Sequence, residues 1–589
     1  MTGPPGGIGP RAPGRAPLAA ALAIAGLAAT MGLGQMWHYG VTIDSPSLFY
    51  AGDRTLFWIL APRVPGALAF QGREPPGFET AFERHPEEKD PLHYPVLTGL
   101  LAAITSRIFH ERLGWVDVVD GHHMALVLLH ALTLFLYALY ASRLLGPVAG
   151  ISATLILALF PSALGHSFNN AKDWPCAQFY GLAVLAAGVG IVESRARHLI
   201  ASALFVGLAL SAKLNGIFVF STVLLWTPVA HVLLYRRRRP VSAPLVGAYL
   251  LAPYIAGLVF FTLWPWLYYG RLPDWWRHIH WYVVFMVDYG VGHRSTWSAH
   301  ALECLAFMTP PLVLGVALVY ALVGWKGGRE RAAVHALLLV WLLLPLVRIA
   351  APHSHFYDAN RHFIEYVPAL SAIAGGGLAL VGQWLRARWP GARGRWALGA
   401  GAALVLASLS WPVVEYHPYE TTYFNVFAGG LGGAQRGGLF LTSPHEDRLN
   451  GTEGDYWYSS LRAGLRDLEA FSPEGGTVGL CGPRSPQGRA NLRAGSRLRF
   501  LDGDEATVAA DLVYAAPRPR ECGWNDVRDI EVARPLLRRV ERGGGLIYEV
   551  FGPRDGRTRP FVTGPTAYDQ VAGSEQDDRV RGAAPLDAP

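Results

Sequence analysis

Residues 148–193 read VAGISATLILALFPSALGHSFNNAKDWPCAQFYGLAVLAAGVGIVE. Two apolar runs, 148–165 and 176–193, enclose a polar loop, 166–175, that holds His166, Asn169, Asn170, Lys172 and Asp173. Each run is close to 20 residues, enough as a helix to cross a hydrocarbon core of about 30 Å. A loop pinned between two such runs leaves amide, ammonium and carboxylate groups at a bilayer surface. They are costly there unless paired or used.

The pattern repeats outward from this stretch. Apolar runs at 17–35, 122–141, 148–165, 176–193, 199–214, 216–234, 244–266, 305–324, 334–351, 364–384 and 397–414 predict eleven transmembrane helices. Of 589 residues, 51% are hydrophobic and 16% charged, with a mean hydropathy of +0.23. A soluble chain usually carries about 25% charge. Basic clusters decide the orientation. Arg11 and Arg15, Arg143, Arg195 and Arg197, Arg236 to Arg239, Lys326 to Arg331, and Arg386 to Arg395 all fall on one side if eleven spans are counted. That side is cytoplasmic, so residues 1–16 form a cytoplasmic lead and the C-terminus lies outside. The first span reads as an uncleaved signal anchor. The net charge of +7 then belongs to topology and lipid headgroups and asks for no nucleic acid.

Residues 17–414 make the membrane domain, with outer loops 36–121, 166–175, 267–303 and 352–363. The apolar stretch 92–109 reads as an interfacial helix. From 415 the composition turns to Gly, Arg, Asp and Glu. β-type runs at 477–481, 497–501, 511–515 and 546–551, with a helical run at 459–471, predict a small extracytoplasmic α/β domain over 415–553. Residues 554–589 read as a disordered tail. Cys481 and Cys522 share that outer domain and are candidates for a disulfide or for two buried thiols. Cys176 and Cys304 have no zinc spacing, and no motif indicates a metal or other cofactor.

Asp44 follows the first span, and the Lys172–Asp173 loop lies on the same outer face. No ATP or nucleotide sugar is met there, so a group transfer must draw on a donor carried across the bilayer. The ordinary reading of Asp44 is a helix N-cap before Pro46; that of Lys172 and Asp173 is a neutral ion pair; that of Arg361 is a snorkelling side chain. Lysine usage points the other way. The chain has four lysines, Lys89, Lys172, Lys213 and Lys326, and three of them fall on the outer face, where a compact ammonium is retained among arginines. Arg361, and Arg348 at the same level, are suited to phosphate.

These residues resemble the membrane glycosyltransferases of the GT-C class, in particular the bacterial branch related to protein O-mannosyltransferases and lipid A aminoarabinose transferases. The resemblance spans about residues 36–470. It is carried in order by Ile43-Asp44-Ser45-Pro46, Asp90-Pro91-Leu92-His93-Tyr94-Pro95, Phe168-Asn169-Asn170-Ala171-Lys172-Asp173, Ala212-Lys213-Leu214-Asn215-Gly216, Tyr357-Asp358 with Arg361-His362-Phe363, and His417-Pro418-Tyr419-Glu420 with Tyr423-Phe424-Asn425. The class often has Asp-Glu where this chain has Asp44-Ser45.

The resemblance implies a polytopic GT-C-like enzyme of the bacterial inner membrane. It implies a polyprenyl-phosphate sugar donor, a glycan, lipid or protein acceptor, and inversion at the anomeric carbon. Asp44 and Asp173 are the implied catalytic carboxylates. Lys172, Arg361, His362, His93, Tyr94, Asn169, Asn170, Lys213 and Tyr357 are the implied substrate-binding set. A divalent cation is compatible with the class but has no ligand spacing here. Two other readings are a transporter or flippase for a lipid-linked or polar substrate, and an inactive scaffold.

Overall fold

A computed structural model of the chain describes residues 14–553 apart from 65, 69–73, 84–93, 236–240, 293, 438–453, 494, 503–505, 517–529 and 531–533. The N-terminal lead before residue 14, His93, Arg236 to Arg239, Cys522 and the 554–589 tail lie outside the described residues.

The apolar runs become helices. Among the described residues, eight are long and apolar enough to cross a membrane, and ten if two bent pairs each count as one. They are α1 (Arg15–Gln35), α4 (Val118–Leu145), α7 (Asp173–Val192), the helical run Leu214–Tyr235 that contains α9 (Phe218–Ala230), α10 (Ala243–Thr262), α14 (Arg329–Ala350), α15 (Tyr366–Arg388) and α16 (Ala392–Tyr416). The body is that of a multi-pass membrane protein.

The expectation of eleven straight spans needs correcting at three places. The run 148–165 divides into α5 (Pro147–Ala158) and α6 (Pro161–Asn169), bent by 61°. Pro161 disfavours a helical Phe160, which is extended, and restarts the helix. The run 305–324 divides into α12 (His300–Phe307) and α13 (Pro311–Val323), bent by 111° at Pro310–Pro311. The run 199–214 becomes α8 (Ala196–Leu210), whose 15 residues rise about 22 Å, short of a full crossing.

Helix α7 is the centre of the bundle and is buried from Asp173 to Ile191. Its Asp173 end and its Glu193 end are therefore about 30 Å apart. Small residues let neighbours close in. On α15, a Cβ at Gly375 would sit 2.4 Å from the Ala149 carbonyl oxygen, and one at Gly377 would sit 1.9 Å from that of Val316.

The segments between the apolar helices carry helices of their own, α2 (Ser45–Leu60), α3 (Leu97–Ser106) and α11 (Leu272–Gly290). Helices α2 and α3 meet backbone to backbone. A Cβ at Gly52 would lie 2.1 Å from the Gly99 carbonyl oxygen. Helix α3 in turn donates from Thr98 Oγ1 to the Ala171 carbonyl. Asp44, at the head of α2, is thus tied to the loop that carries Lys172.

The C-terminal sheet has the order β2-β1-β3-β5-β4, from β1 (Gly476–Cys481), β2 (Leu498–Phe500), β3 (Leu512–Ala515), β4 (Leu536–Arg542) and β5 (Gly545–Phe551). β2, β1 and β3 run parallel, while β5 is antiparallel to β3 and β4. The helix Leu461–Phe471 packs on β3 and β5. Cys481 is disulfide-bonded, and Cys522 lies outside the described residues. This region closes over the segment before Asp44. Asn491 accepts from the Val41 N–H at 2.8 Å and donates to the Val41 carbonyl at 3.3 Å. The Ile43 N–H donates to the Trp457 carbonyl at 3.3 Å. Arg462 binds Asp120 at 2.6 Å and the Tyr39 carbonyl at 3.1 Å.

Candidate functional site

Three carboxylates and three cations from separate elements meet at one end of the bundle. Asp44 occupies the N-cap position of α2 but makes no capping bond. Its carboxylate instead pairs with Lys172, whose Nζ is 2.9 Å from Oδ2, and with Arg361. Asp173 pairs with Lys213 and lies 3.7 Å from Arg361. Asp358 takes the other Arg361 amino group at 2.7 Å. Lys172 and Asp173 are neighbours in sequence, yet each finds its partner elsewhere, the ammonium on Asp44 and the carboxylate on Lys213. The three positive and three negative charges cancel.

Local chemistry sets this arrangement. The Asn170 side-chain oxygen accepts from the backbone N–H groups of Lys172 at 3.1 Å and Asp173 at 2.8 Å, and its amide donates to Asp173 at 3.2 Å. It caps the start of α7 and sends the Lys172 and Asp173 side chains apart. Asn169 presents its carbonyl to Ser45 at 2.9 Å. Asp358 and Ala359 hold φ of 57° and 56°, a left-handed turn that is uncommon outside glycine and asparagine. It brings the Asp358 carboxylate back onto Arg361. His300 Nε2 lies 3.0 Å from the Ala359 carbonyl oxygen and braces the turn.

Exposure separates the carboxylates. Asp173 and Asp358 side chains are 1% exposed, whereas that of Asp44 is 27% exposed. Asp44 is the one that a substrate can touch; Asp173 and Asp358 hold cations in place. Burial alone would raise the pKa of Asp44, but the Lys172 and Arg361 charges outweigh it and hold the carboxyl well below the usual range. Burial opposes the charge on Lys172 too, and Asp44 and Asp173 more than restore it. Burial wins at Lys213, whose pKa falls despite Asp173. His362 is driven well below its ordinary pKa by burial, then by Lys213 and Arg361, so it is neutral near pH 7.

Aromatic rings frame the cations. Lys172 Nζ lies 4.2 Å from the centre of the Tyr94 ring, and the Arg361 guanidinium lies 4.8 Å from Trp457 and 5.1 Å from Tyr357. A cleft of about 210 Å³ adjoins the cluster. Tyr94, Lys213, Arg348 and His362 form its polar side, and Ile217, Phe218, Met286 and Ile349 its apolar side. Asp44 is exposed outside these walls. Tyr94 lies between the two, part of the cleft on one side and under Lys172 on the other. Among the described residues, no group of three or more His, Cys, Asp or Glu side chains is placed to hold a metal ion.

The cluster thus brings together Asp44, Lys172, Asp173, Lys213, Arg361, Tyr94 and Tyr357, with Asn170 and Asn169 shaping the loop and His362 against Tyr357 at 4.3 Å. His93 lies outside the described residues. Sequence reasoning passed over three participants. Asp358 stood in a quoted motif without a role. Glu365 bridges Asn215 at 3.0 Å and Arg348 at 3.5 Å. Trp457 comes from a stretch assigned to the outer domain, and one tryptophan there carries no distinguishing signal.

No protein-family model matches the sequence, and no curated protein matches it. Among solved structures the chain is similar to ArnT from Cupriavidus metallidurans bound to undecaprenyl phosphate, at 14% identity over 93% of this chain and 100% of that one, with a TM-score of 0.44. It is similar to the same protein in the apo state, at 14% identity over 91% and 97%, TM-score 0.45. It is also similar to the Archaeoglobus fulgidus oligosaccharyltransferase tethered with an acceptor peptide, at 12% identity over 82% and 64%, TM-score 0.43. Likenesses this distant assign no residue and no activity.

Proposed function

We propose that the protein is a membrane glycosyltransferase that moves a sugar from a polyprenyl-phosphate donor to an acceptor hydroxyl at the outer face, with inversion. The observation that carries this reading is the half-apolar cleft with Lys213 and Arg348 in its wall, set beside a single accessible carboxylate, Asp44. A polyprenyl chain suits Ile217, Phe218 and Met286, and a phosphate suits the cations beside them.

The donor enters from the cleft, and the acceptor hydroxyl approaches the exposed side of Asp44. The hydroxyl proton passes to Asp44 as the oxygen attacks the anomeric carbon. The bond from that carbon to the phosphate oxygen breaks, and the phosphate leaves with the electron pair. Its added negative charge falls to Lys213, Arg348 and the Lys172–Arg361 pair behind them. Asp44 is a weak base at rest because two cations hold it. A phosphate anion about 7 Å away, at an effective dielectric constant near 20, raises its pKa by on the order of one to two units, or about 2 kcal/mol. Donor binding therefore makes the base more basic.

The charged groups lie at one end of the helices. Transporters place theirs near mid-membrane, which disfavours that reading. The test is transfer from a labelled polyprenyl-phosphate sugar by the purified protein in vesicles. Release of polyprenyl phosphate that Asp44→Asn lowers about 100-fold or more is the expected result. Substrate crossing the membrane with no sugar transferred would make it a transporter.

A further inference from the structure

A cavity of about 570 Å³ lies at the opposite end of the helices from Asp44. Leu144 and Leu145 of α4, Val189 and Val192 of α7, Val334 of α14 and Leu380 of α15 give it apolar walls. It is lined along α15 from Gly376 to Gln383, about 10 Å of helix rise. Arg143, Lys326 and Arg331 stand at it with Glu193 and Glu330.

These cations are unequal. Arg143 is neutralised by Glu193 through two contacts of 2.6 Å. Lys326 and Arg331 form no ion pair with a carboxylate among the described residues. Tyr320 also lines the cavity. His335, with its ring centre 5.3 Å from that of Tyr320, leaves Nδ1 buried and unpartnered. Basic residues at helix ends are ordinary in membrane proteins. A space that leads from two cations without a carboxylate partner among the described residues into an apolar interior, past a buried unpartnered imidazole nitrogen, is a site. Its ligand must be apolar over most of its length and anionic at one end.

We propose that this cavity holds an anionic phospholipid, with its phosphate against Lys326 and Arg331 and the upper part of an acyl chain along Leu144, Val189 and Leu380. Basic pockets between helices at headgroup depth recognise such lipids. The site is separate from the Asp44 cluster and does not rest on the glycosyl-transfer reading.

The test uses the purified full chain in detergent. Native mass spectrometry counts retained lipid, and thermal unfolding reads stabilisation, with phosphatidylglycerol, phosphatidylcholine and glycerol 3-phosphate as probes. The expected result is preferential retention of, and stabilisation by, phosphatidylglycerol. Lys326→Ala with Arg331→Ala should weaken it about ten-fold or more. Ala379→Phe, which fills the cavity and leaves the cations, should weaken it as well. Equal retention of the two lipids by the wild-type protein would overturn the proposal, as would undiminished phosphatidylglycerol binding in either variant. A shift by glycerol 3-phosphate equal to that by the lipid would replace it with a soluble phosphate site. None of these readouts involves sugar transfer, so failure here leaves the Asp44 reading untouched.

Discussion

Replacing Arg361 by Met separates what this residue does for the fold from what it does for catalysis. Its guanidinium is 2% exposed and contacts Asp44, Asp173 and Asp358. Removing it leaves three carboxylates facing two ammonium groups, with Asp358 buried and its 2.7 Å partner gone. Breaking a buried pair from one side costs about 3–5 kcal/mol. Thermal unfolding in detergent should show a loss of that order. Adding Asp358→Asn removes the buried charge that faced the guanidinium and should restore part of the stability. It should not restore turnover, because the charge that offsets the leaving phosphate is still missing; that loss is about 2–4 kcal/mol, or on the order of 30- to 1000-fold. Full stability in the single variant would refute the account of the cluster. Recovery of sugar transfer in the double variant would refute any catalytic part for Arg361.

Asp44→Asn should lower turnover about 100-fold or more, with polyprenyl-phosphate binding retained; full activity would remove Asp44 from the reaction. The folded pKa of Asp44 lies below its unfolded value near 3.9, so its stabilisation is complete above about pH 4 and is lost as pH falls through the folded pKa. The acid limb of kcat should therefore lie above that of kcat/KM, because bound phosphate raises the Asp44 pKa. A kcat/KM limb above about pH 5 that shifts in Asp44→Glu would contradict this. Gly52→Val should push α2 off α3, where the Cβ position is 2.1 Å from the Gly99 carbonyl oxygen, and should reduce both stability and transfer; unchanged activity would show that this contact does not seat Asp44. Cys481→Ser should cost the C-terminal sheet region about 2–4 kcal/mol, seen as faster proteolysis of residues 461–553 with the membrane helices intact.

Helices and most strands were legible because apolar length and β-type runs record how an element is buried. What broke the pattern was local. Pro161 and Pro310–Pro311 divide two apolar runs that hydropathy averaging joins into spans. β4 was missed because Leu536–Arg542 reads LLRRVER. It is an edge strand, and its exposed arginines suit an edge while hiding it from an apolar count. At the site, residue types were legible and partners were not. Arg361 and Asp44 are 317 positions apart, and nothing local says that Lys172 turns from Asp173 toward Asp44. Nor does the sequence say that each cation of the resting cluster already has a carboxylate.

That pairing has a consequence for how the chain is made. Asp44, Lys172, Asp173, Lys213 and Arg361 leave the ribosome in that order, and Trp457, which covers the Arg361 guanidinium at 4.8 Å, comes later still. Until Arg361 is inserted, Asp44 and Lys172 have each other and Asp173 has Lys213, but Asp358 lacks the guanidinium that lies 2.7 Å away in the finished fold. The cluster is completed by the connection between α14 and α15 and sealed by the C-terminal region. Chains truncated between about 370 and 455 would carry every charge of the site without its cover. Such nascent forms are the ones that a membrane quality-control protease should recognise, and full-length protein should escape as soon as the C-terminal sheet docks.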